Sequence, residues 1–264
     1  MRANPVKQKL AAGEAALGTW LSLGDLTAAR LLARAGFDWL TLDLEHSPID
    51  WSTAATIVAA IADAGCVPFV RVPEGSHVAI KRALDAGAFG LVVPMIETAE
   101  QATAAVRAAK YPPEGNRSVG GSHHALNFDA AGEEYFRSAN DAIVIVLQIE
   151  SPTGVANARA IMSVPGVDAI LIGPNDLRYQ MRAADGTFPT PEQHEAAIRE
   201  VLAAGRETGV AVGLHVMSTE EAARRRDQGM RYLPVGSDLR MLTLEARRTV
   251  GELGLKPAKL AAAY

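Results

Sequence analysis

Short, nearly continuous apolar runs alternate along the chain with longer stretches in which apolar residues recur every three or four positions. The runs fall at residues 17–21, 39–44, 67–72, 89–94, 142–149, 167–172, 210–216 and 232–235. Apolar runs of this length read as strands buried on both faces, the state of strands in a parallel sheet. The stretches between them are alanine-rich and amphipathic, and several carry helix starts: Asp25 before 26–35, Asp50 before 51–64, Thr98 before 99–109, and Thr190-Pro191 before 192–208. Gly36, Gly65, Gly87, Gly209 and Gly229 follow helical stretches, where a left-handed C-cap is easiest for a residue without Cβ. Eight strands with helical crossovers in roughly 250 residues predict an α/β fold of the (β/α)8 TIM-barrel type, with an open doubly wound sheet as the alternative.

No Gly-, Ser- or Pro-rich linker divides the chain, so residues 1–264 read as one domain with a short N-terminal arm and a C-terminal helical tail. The longest irregular stretch is 111–140, rich in Gly, Pro, Ser and His. With 48% hydrophobic and 21% charged residues and a net charge of −4, the chain can bury a substantial core, and disordered or collagen-like readings are excluded. The charge balance points to neither a nucleic-acid nor a membrane partner. Cys66 is the sole cysteine, which rules out an intrachain disulfide and a CxxC motif; opening an apolar strand, it reads as an inert buried thiol. No stretch of ~18 apolar residues is present, and a cytoplasmic location is expected.

Four of the apolar runs end in reactive residues. Residues 39–44 lead into Glu45 and His46, 67–70 into Arg71, 142–149 into Glu150, and 169–174 towards Asp176. Neighbouring parallel strands in a barrel would bring these ends to one face. Side chains alternate along a strand, so Asp43 shares a face with Glu45, and Gln148 with Glu150. Glu150 and Asp176 offer carboxylate oxygens to a hard divalent cation, or else cap the helices that follow them. Imidazole is the side chain whose unperturbed pKa suits a general base, so His46 reads as one, with Asp43 placed to orient its ring, although an isolated histidine also reads as structural. Arg71 suits a developing oxyanion, or a salt bridge to Asp43 or Glu45. Of the other histidines, His77 and His194 read as solvated, His123 and His124 lie in the irregular stretch, and His215 ends a strand where it would line the site. Zinc, dinucleotide, P-loop and serine-hydrolase motifs are missing. The six lysines, at 7, 9, 81, 110, 256 and 259, all fall away from strand ends, which favours metal-assisted enolisation over an imine.

Taken in order, Leu-Asp-Leu-Glu-His-Ser (42–47), Val-Arg-Val-Pro (70–73), Val-Pro-Met-Ile-Glu-Thr-Ala-Glu-Gln-Ala (93–102), Tyr-Pro-Pro-Glu-Gly-Asn-Arg-Ser-Val-Gly (111–120), Gln-Ile-Glu-Ser (148–151), Gly-Pro-Asn-Asp-Leu (173–177) and Val-Gly-Ser-Asp (235–238) resemble the HpcH/HpaI aldolase family. The resemblance implies a (β/α)8 barrel that cleaves and forms 2-keto-4-hydroxy acids through a metal-bound pyruvate enolate. On the matching positions, Glu150 and Asp176 would hold the divalent cation (Mg²⁺, Mn²⁺ or Co²⁺). His46, assisted by Asp43, would be the base, and Arg71 would stabilise the enolate oxygen. Trp20 and Gln148 would line the pyruvate site, with the backbone of Gly173, Pro174, Asn175 and Asp176 meeting the carboxylate and His215 at the pocket wall. Pyruvate and an aldehyde would be the partners, and the assembly a homohexamer of dimers that exchange their last helix. Two departures, Arg178-Tyr179-Gln180-Met181 and His215, fall where they would reshape the aldehyde end. The alternatives are a citrate-lyase-like acyl-CoA lyase and a barrel that binds 2-keto acids without turnover.

Overall fold

The computed structural model describes residues 1–255. Eight parallel strands close into a barrel in sequence order: β1 (Ala16–Leu21), β2 (Trp39–Asp43), β3 (Val67–Arg71), β4 (Gly90–Val93), β5 (Val144–Ile149), β6 (Ala169–Ile172), β7 (Ala211–Leu214) and β8 (Tyr232–Ser237). Closure removes the open doubly wound sheet as an alternative. Around the strands run α1 (Pro5–Ala11), α2 (Leu26–Leu32), α3 (Trp51–Asp63), α4 (His77–Asp85), α5 (Ala99–Ala109), α6 (Gly132–Ala142), α7 (Pro152–Ala156), α8 (Ala158–Met162), α9 (Pro174–Gln180), α10 (Pro191–Thr208), α11 (Thr219–Asp227) and α12 (Asp238–Glu252). Among the described residues no helix is long and apolar enough to cross a membrane.

The helix starts are where the sequence puts them. Asp25 and Asp50 accept from the N–H groups of Ala28 and Thr53, and Thr98 and Thr190 form reciprocal capping boxes with Gln101 and Gln193. At the far ends, Gly36 and Gly209 take φ of +105° and +78°, a region costly for residues with a Cβ.

Two expectations, on the stretch 111–140 and on the start of β5, need correction. The stretch 111–140 is not structureless: it holds a 3₁₀ helix, His123–Phe128, and most of α6, whose last residue, Ala142, was read as the start of β5. Apolar side chains on the buried face of α6, such as Tyr135 and Ala139, were masked by its polar composition. The N-terminal arm contains α1, capped by Asn4, whose side-chain amide also donates to the carbonyls of Phe89 and Ala142 and so closes the amino-terminal end of the barrel. α12 follows β8, and residues 256–264 of the expected helical tail lie outside the described residues.

The lower barrel is filled by aromatic rings standing over glycines. Trp39 stacks on Tyr232 with centroids 4.3 Å apart, and Phe69 lies 5.9 Å from each of them. These residues come from β2, β8 and β3, so their rings meet inside the barrel. Each has a glycine as its register partner on an adjoining strand: Gly18 beside Trp39, Gly90 beside Phe69, and Gly213 beside Tyr232. A Cβ on Gly18 would sit 2.2 Å from the Trp39 indole, and one on Gly90 2.1 Å from the Phe69 ring. At Gly18 and Gly90 the missing Cβ gives the ring its space, whereas Gly213 admits the backbone carbonyl of Tyr232, 1.5 Å from where a Cβ would lie. Two residues further along the same inward faces come Trp20 and Arg71, and two beyond Thr41, itself bonded by the Trp39 indole N–H at 3.1 Å, comes Asp43. The plug thus sets the floor of the site above it. Asp238 fastens the seam between the first and last strands, accepting from the N–H groups of Ser22 and Leu23 at 2.8 and 3.2 Å.

Gly90→Ala should destabilise the protein by about 1–3 kcal/mol through overpacking. Combined with Phe69→Leu it should cost clearly less than the sum of the two single changes in urea unfolding, because the ring is what the new methyl meets. Strict additivity would refute this pairing.

Candidate active site

The carboxyl ends of β1, β2, β3, β5, β6 and β7 supply the site. Asp43 ends β2 and is the register partner of Arg71 at the end of β3. The guanidinium grips it bidentately, Nε to Oδ1 at 2.9 Å and Nη2 to Oδ2 at 2.7 Å, while Nη1 lies 3.2 Å from Glu45 Oε2. The Arg71 Cζ also stands 4.4 Å from the Trp20 ring. Burial alone would push the Asp43 carboxyl up, but the Arg71 hydrogen bonds and charge, with the N–H groups of His46 and Glu45, hold it below the usual carboxylate range. The salt-bridge reading of Arg71 is therefore correct as geometry. It leaves the guanidinium at the barrel mouth, where it can still face a substrate oxygen.

Asp43 does not meet the His46 ring as expected. Its Oδ1 accepts from the His46 backbone N–H at 3.2 Å and its remaining capacity goes to Arg71 and Glu45 N–H. The carboxylate beside the imidazole is that of Glu45, with Oε2 3.7 Å from Nε2, and the His46 side chain is half exposed. The expected Asp43–His46 pairing fails because the chain leaves β2 after Asp43 and turns. Burial, reinforced by the charges of Glu150 and Asp43 and opposed by Arg71 and His46, pushes the Glu45 carboxyl up to about 7. The sequence pairs Glu45 with Asp43 but assigns it no task of its own.

Glu150 does not cap the next helix; Ser151 does, accepting from Gly154 N–H. The Glu150 carboxylate is turned into the barrel instead, where Met95 N–H donates to Oε1 at 2.9 Å and the Gln148 side-chain amide donates to Oε2. Its pKa is raised, chiefly by burial and also by the charge of Asp176. Met95 was not foreseen. It holds a left-handed backbone, φ +53°, unusual for a residue with a side chain, and this aims its N–H at Glu150. A methionine inside an apolar segment carries no signal for that.

Asp176 lies in the first turn of α9 and is exposed, and no side chain caps that helix at Gly173. Gly173 is pressed against the other carboxylate: a Cβ there would lie 2.2 Å from Glu150 Oε2 and 3.0 Å from Gln148 Nε2. Pro174 uses its carbonyl to bind His194, at 3.0 Å, so His194 is not free in solvent; Asn175 is exposed. Trp20 Nε1 and Gln148 Oε1 are buried with no hydrogen-bond partner among the described residues, one donor and one acceptor left at the mouth. His215 packs 5.7 Å from Trp20 with Nε2 3.1 Å from Gly236 O.

The remaining candidates fall outside this group. His77 bonds Asn116 O; His124 is buried against Tyr135, with burial pushing its pKa down to about 4. Cys66 is buried and its thiol is pushed up to about 11, which fits an inert residue. Arg178 lies over the Phe188 ring, next to an exposed Tyr179. Among the described residues no cluster of three or more His, Cys, Asp or Glu side chains is arranged to hold a metal ion. The candidate for a cation is the pair Glu150 and Asp176, which would leave coordination positions for water and substrate.

A family profile described as HpcH/HpaI aldolase/citrate lyase matches residues 16–244. The chain is 41% identical over 250 residues to a hydroxypyruvate/pyruvate aldolase of Delftia acidovorans, covering 94% of this chain and 92% of that one. It is 39% identical to a 5-keto-4-deoxy-D-glucarate aldolase of Klebsiella pneumoniae, covering 89% and 91%. An HpcH/HpaI aldolase/citrate lyase family protein from Burkholderia cenocepacia, with a solved structure, superimposes with a TM-score of 0.88 at 39% identity, over 96% of this chain and all of that one. With the barrel closed and its reactive strand ends gathered at one mouth, these matches make the chain a member of the HpcH/HpaI aldolase/citrate lyase family and a carbon–carbon lyase.

Proposed function

We propose that the chain is a divalent-metal-dependent aldolase that reversibly cleaves 2-keto-4-hydroxy acids to an aldehyde and pyruvate, or a close 2-keto acid such as the hydroxypyruvate in the name of its Delftia relative. The observation that carries this reading is a charge imbalance. Asp43, Glu45 and Glu150 surround one guanidinium, Asp176 adds its charge beside Glu150, and both Glu45 and Glu150 are pushed towards their neutral forms. Two hard-oxygen donors at Glu150 and Asp176 fit Mg²⁺, Mn²⁺ or Co²⁺, and Gly173 leaves the Glu150 oxygen uncovered by any Cβ. Such an ion, when bound, would act as a Lewis acid on the 2-keto group, worth several kcal/mol at the transition state.

The protein groups divide the rest. In the cleavage direction a base takes the proton of the C4 hydroxyl, the C3–C4 bond breaks, and its electron pair passes to the enolate oxygen. C3 then takes a proton to give the 2-keto acid. His46, half exposed and beside Glu45, is placed to move these protons, directly or through water. Arg71 keeps Nη1 towards the mouth and offsets charge on the enolate oxygen. Trp20 Nε1 and Gln148 Oε1, both unpartnered, await polar atoms of the substrate. Assembly into a homohexamer of dimers that exchange α12 is supported by that helix, which leaves Leu242 and Leu244 exposed.

Exchange of pyruvate methyl protons into D₂O tests the chemistry without a known aldehyde. Exchange should proceed with Mn²⁺ and fall at least about 100-fold with EDTA or in Glu150→Gln; unabated exchange in either case would sink the proposal. A second prediction concerns Glu45 in metal-free protein. Its folded pKa of about 7 lies above the ordinary 4.5, so the native state holds a proton that the unfolded chain has lost, and stability falls as pH rises through that window. Glu45→Gln should therefore gain stability over the native protein progressively between those pH values in urea unfolding. A difference that does not change with pH would contradict this.

A further inference from the structure

His215 follows the last residue of β7 and stands at the barrel rim between Trp20 of β1 and Gly236 of β8. Its Nε2 is 3.1 Å from the Gly236 carbonyl oxygen. A carbonyl only accepts, so Nε2 carries the proton, and the tautomer is fixed. Burial, with the nearby charge of Arg71, pushes the pKa down to about 4 against the Gly236 bond and the charges of Asp43 and Glu221, so the ring is neutral near pH 7. Nδ1 is then an unprotonated acceptor. It has no hydrogen bond to any described residue and is reached by solvent.

Among the acceptors near it, Gln148 Oε1 is also unpartnered but is buried. The Asp43 carboxylate is taken up by Arg71 and two backbone N–H groups, and Glu150 is held by Met95 and Gln148. Arg71 and the Trp20 indole can only donate. A keto, aldehyde or carboxylate oxygen brought to Nδ1 would set lone pair against lone pair, whereas a hydroxyl group can turn its hydrogen there. We infer that His215 Nδ1 accepts a hydrogen bond from a substrate hydroxyl and makes the enzyme select hydroxylated partners over their deoxy analogues. That hydroxyl belongs either to a 3-hydroxylated 2-keto acid or to a 2-hydroxyaldehyde. The inference rests on the aldolase reading and gives its substrate class.

The test uses the full-length, metal-loaded enzyme and compares kcat/KM for hydroxypyruvate against pyruvate with one common aldehyde, and for glycolaldehyde against acetaldehyde with pyruvate. Native enzyme should favour the hydroxylated member in one comparison, which identifies the source of the hydroxyl. In His215→Leu that ratio should fall about tenfold, whatever the absolute rate, and His215→Asn, which keeps an acceptor oxygen near the Nδ1 position, should restore most of it. Ratios within about threefold of native in His215→Leu for both pairs would overturn the inference. A readout independent of turnover is the ¹⁵N resonance of His215 in native enzyme. Nδ1 should respond to the hydroxylated compound and not to its deoxy analogue, and an equal response to both would also overturn it. If the aldolase reading fails instead, native enzyme gives no product with any pair, and the nitrogen resonance still decides the role of His215.

Discussion

One guanidinium lies among three carboxylates at the mouth of this barrel, Asp43, Glu45 and Glu150, and the rest of the site is arranged around that shortage of positive charge. Arg71 spends its best geometry on Asp43 and has one nitrogen left for Glu45. Glu150 receives only dipoles, from Met95 N–H and the Gln148 amide. Burying carboxylates with so little compensation costs stability, and proteins meet that cost by protonation, pairing or a bound cation. Here pairing settles Asp43 and holds it ionised, while Glu45 and Glu150 remain poised towards protonation. A hard cation, as proposed, would relieve this imbalance, which also keeps a titrating carboxyl beside His46.

That arrangement depends on register. Asp43 faces Arg71 because β2 and β3 pair Trp39 with Val67 and each following residue in step. A one-residue slip would turn the acid or the cation out of the barrel. The packing of Trp39 over Gly18 and of Phe69 over Gly90 guards against such a slip, since these offsets bring each ring opposite a residue without a Cβ. The bottom of the barrel thereby fixes the chemistry at its top, two to four residues away along the same strands.

Much of this was legible in the amino-acid order. Eight apolar runs announce eight strands because both faces of a barrel strand are buried, and Asp43, Arg71, Gln148 and Glu150 stand out because polar groups at the carboxyl end of such a run have few other reasons to be there, whereas Trp20 comes only from the family resemblance. What stayed hidden is set by backbone turns and tertiary contacts. The left-handed Met95 that serves Glu150 leaves no trace in side-chain type, and the turn after Asp43 exchanges the expected Asp43–His46 pairing for Glu45–His46. α6 was lost because its polar residues outweigh the few that pack, and the tautomer of His215 depends on a carbonyl twenty-one residues away.

The central claim is that these strand ends form one cation-dependent centre, with the ion between Glu150 and Asp176. Anomalous diffraction from crystals soaked with Mn²⁺ and pyruvate tests it most directly. A single strong peak per chain within coordination distance of both carboxylates, with Arg71 still gripping Asp43, is the predicted result. A peak elsewhere in the barrel, or none at saturating Mn²⁺, would contradict it.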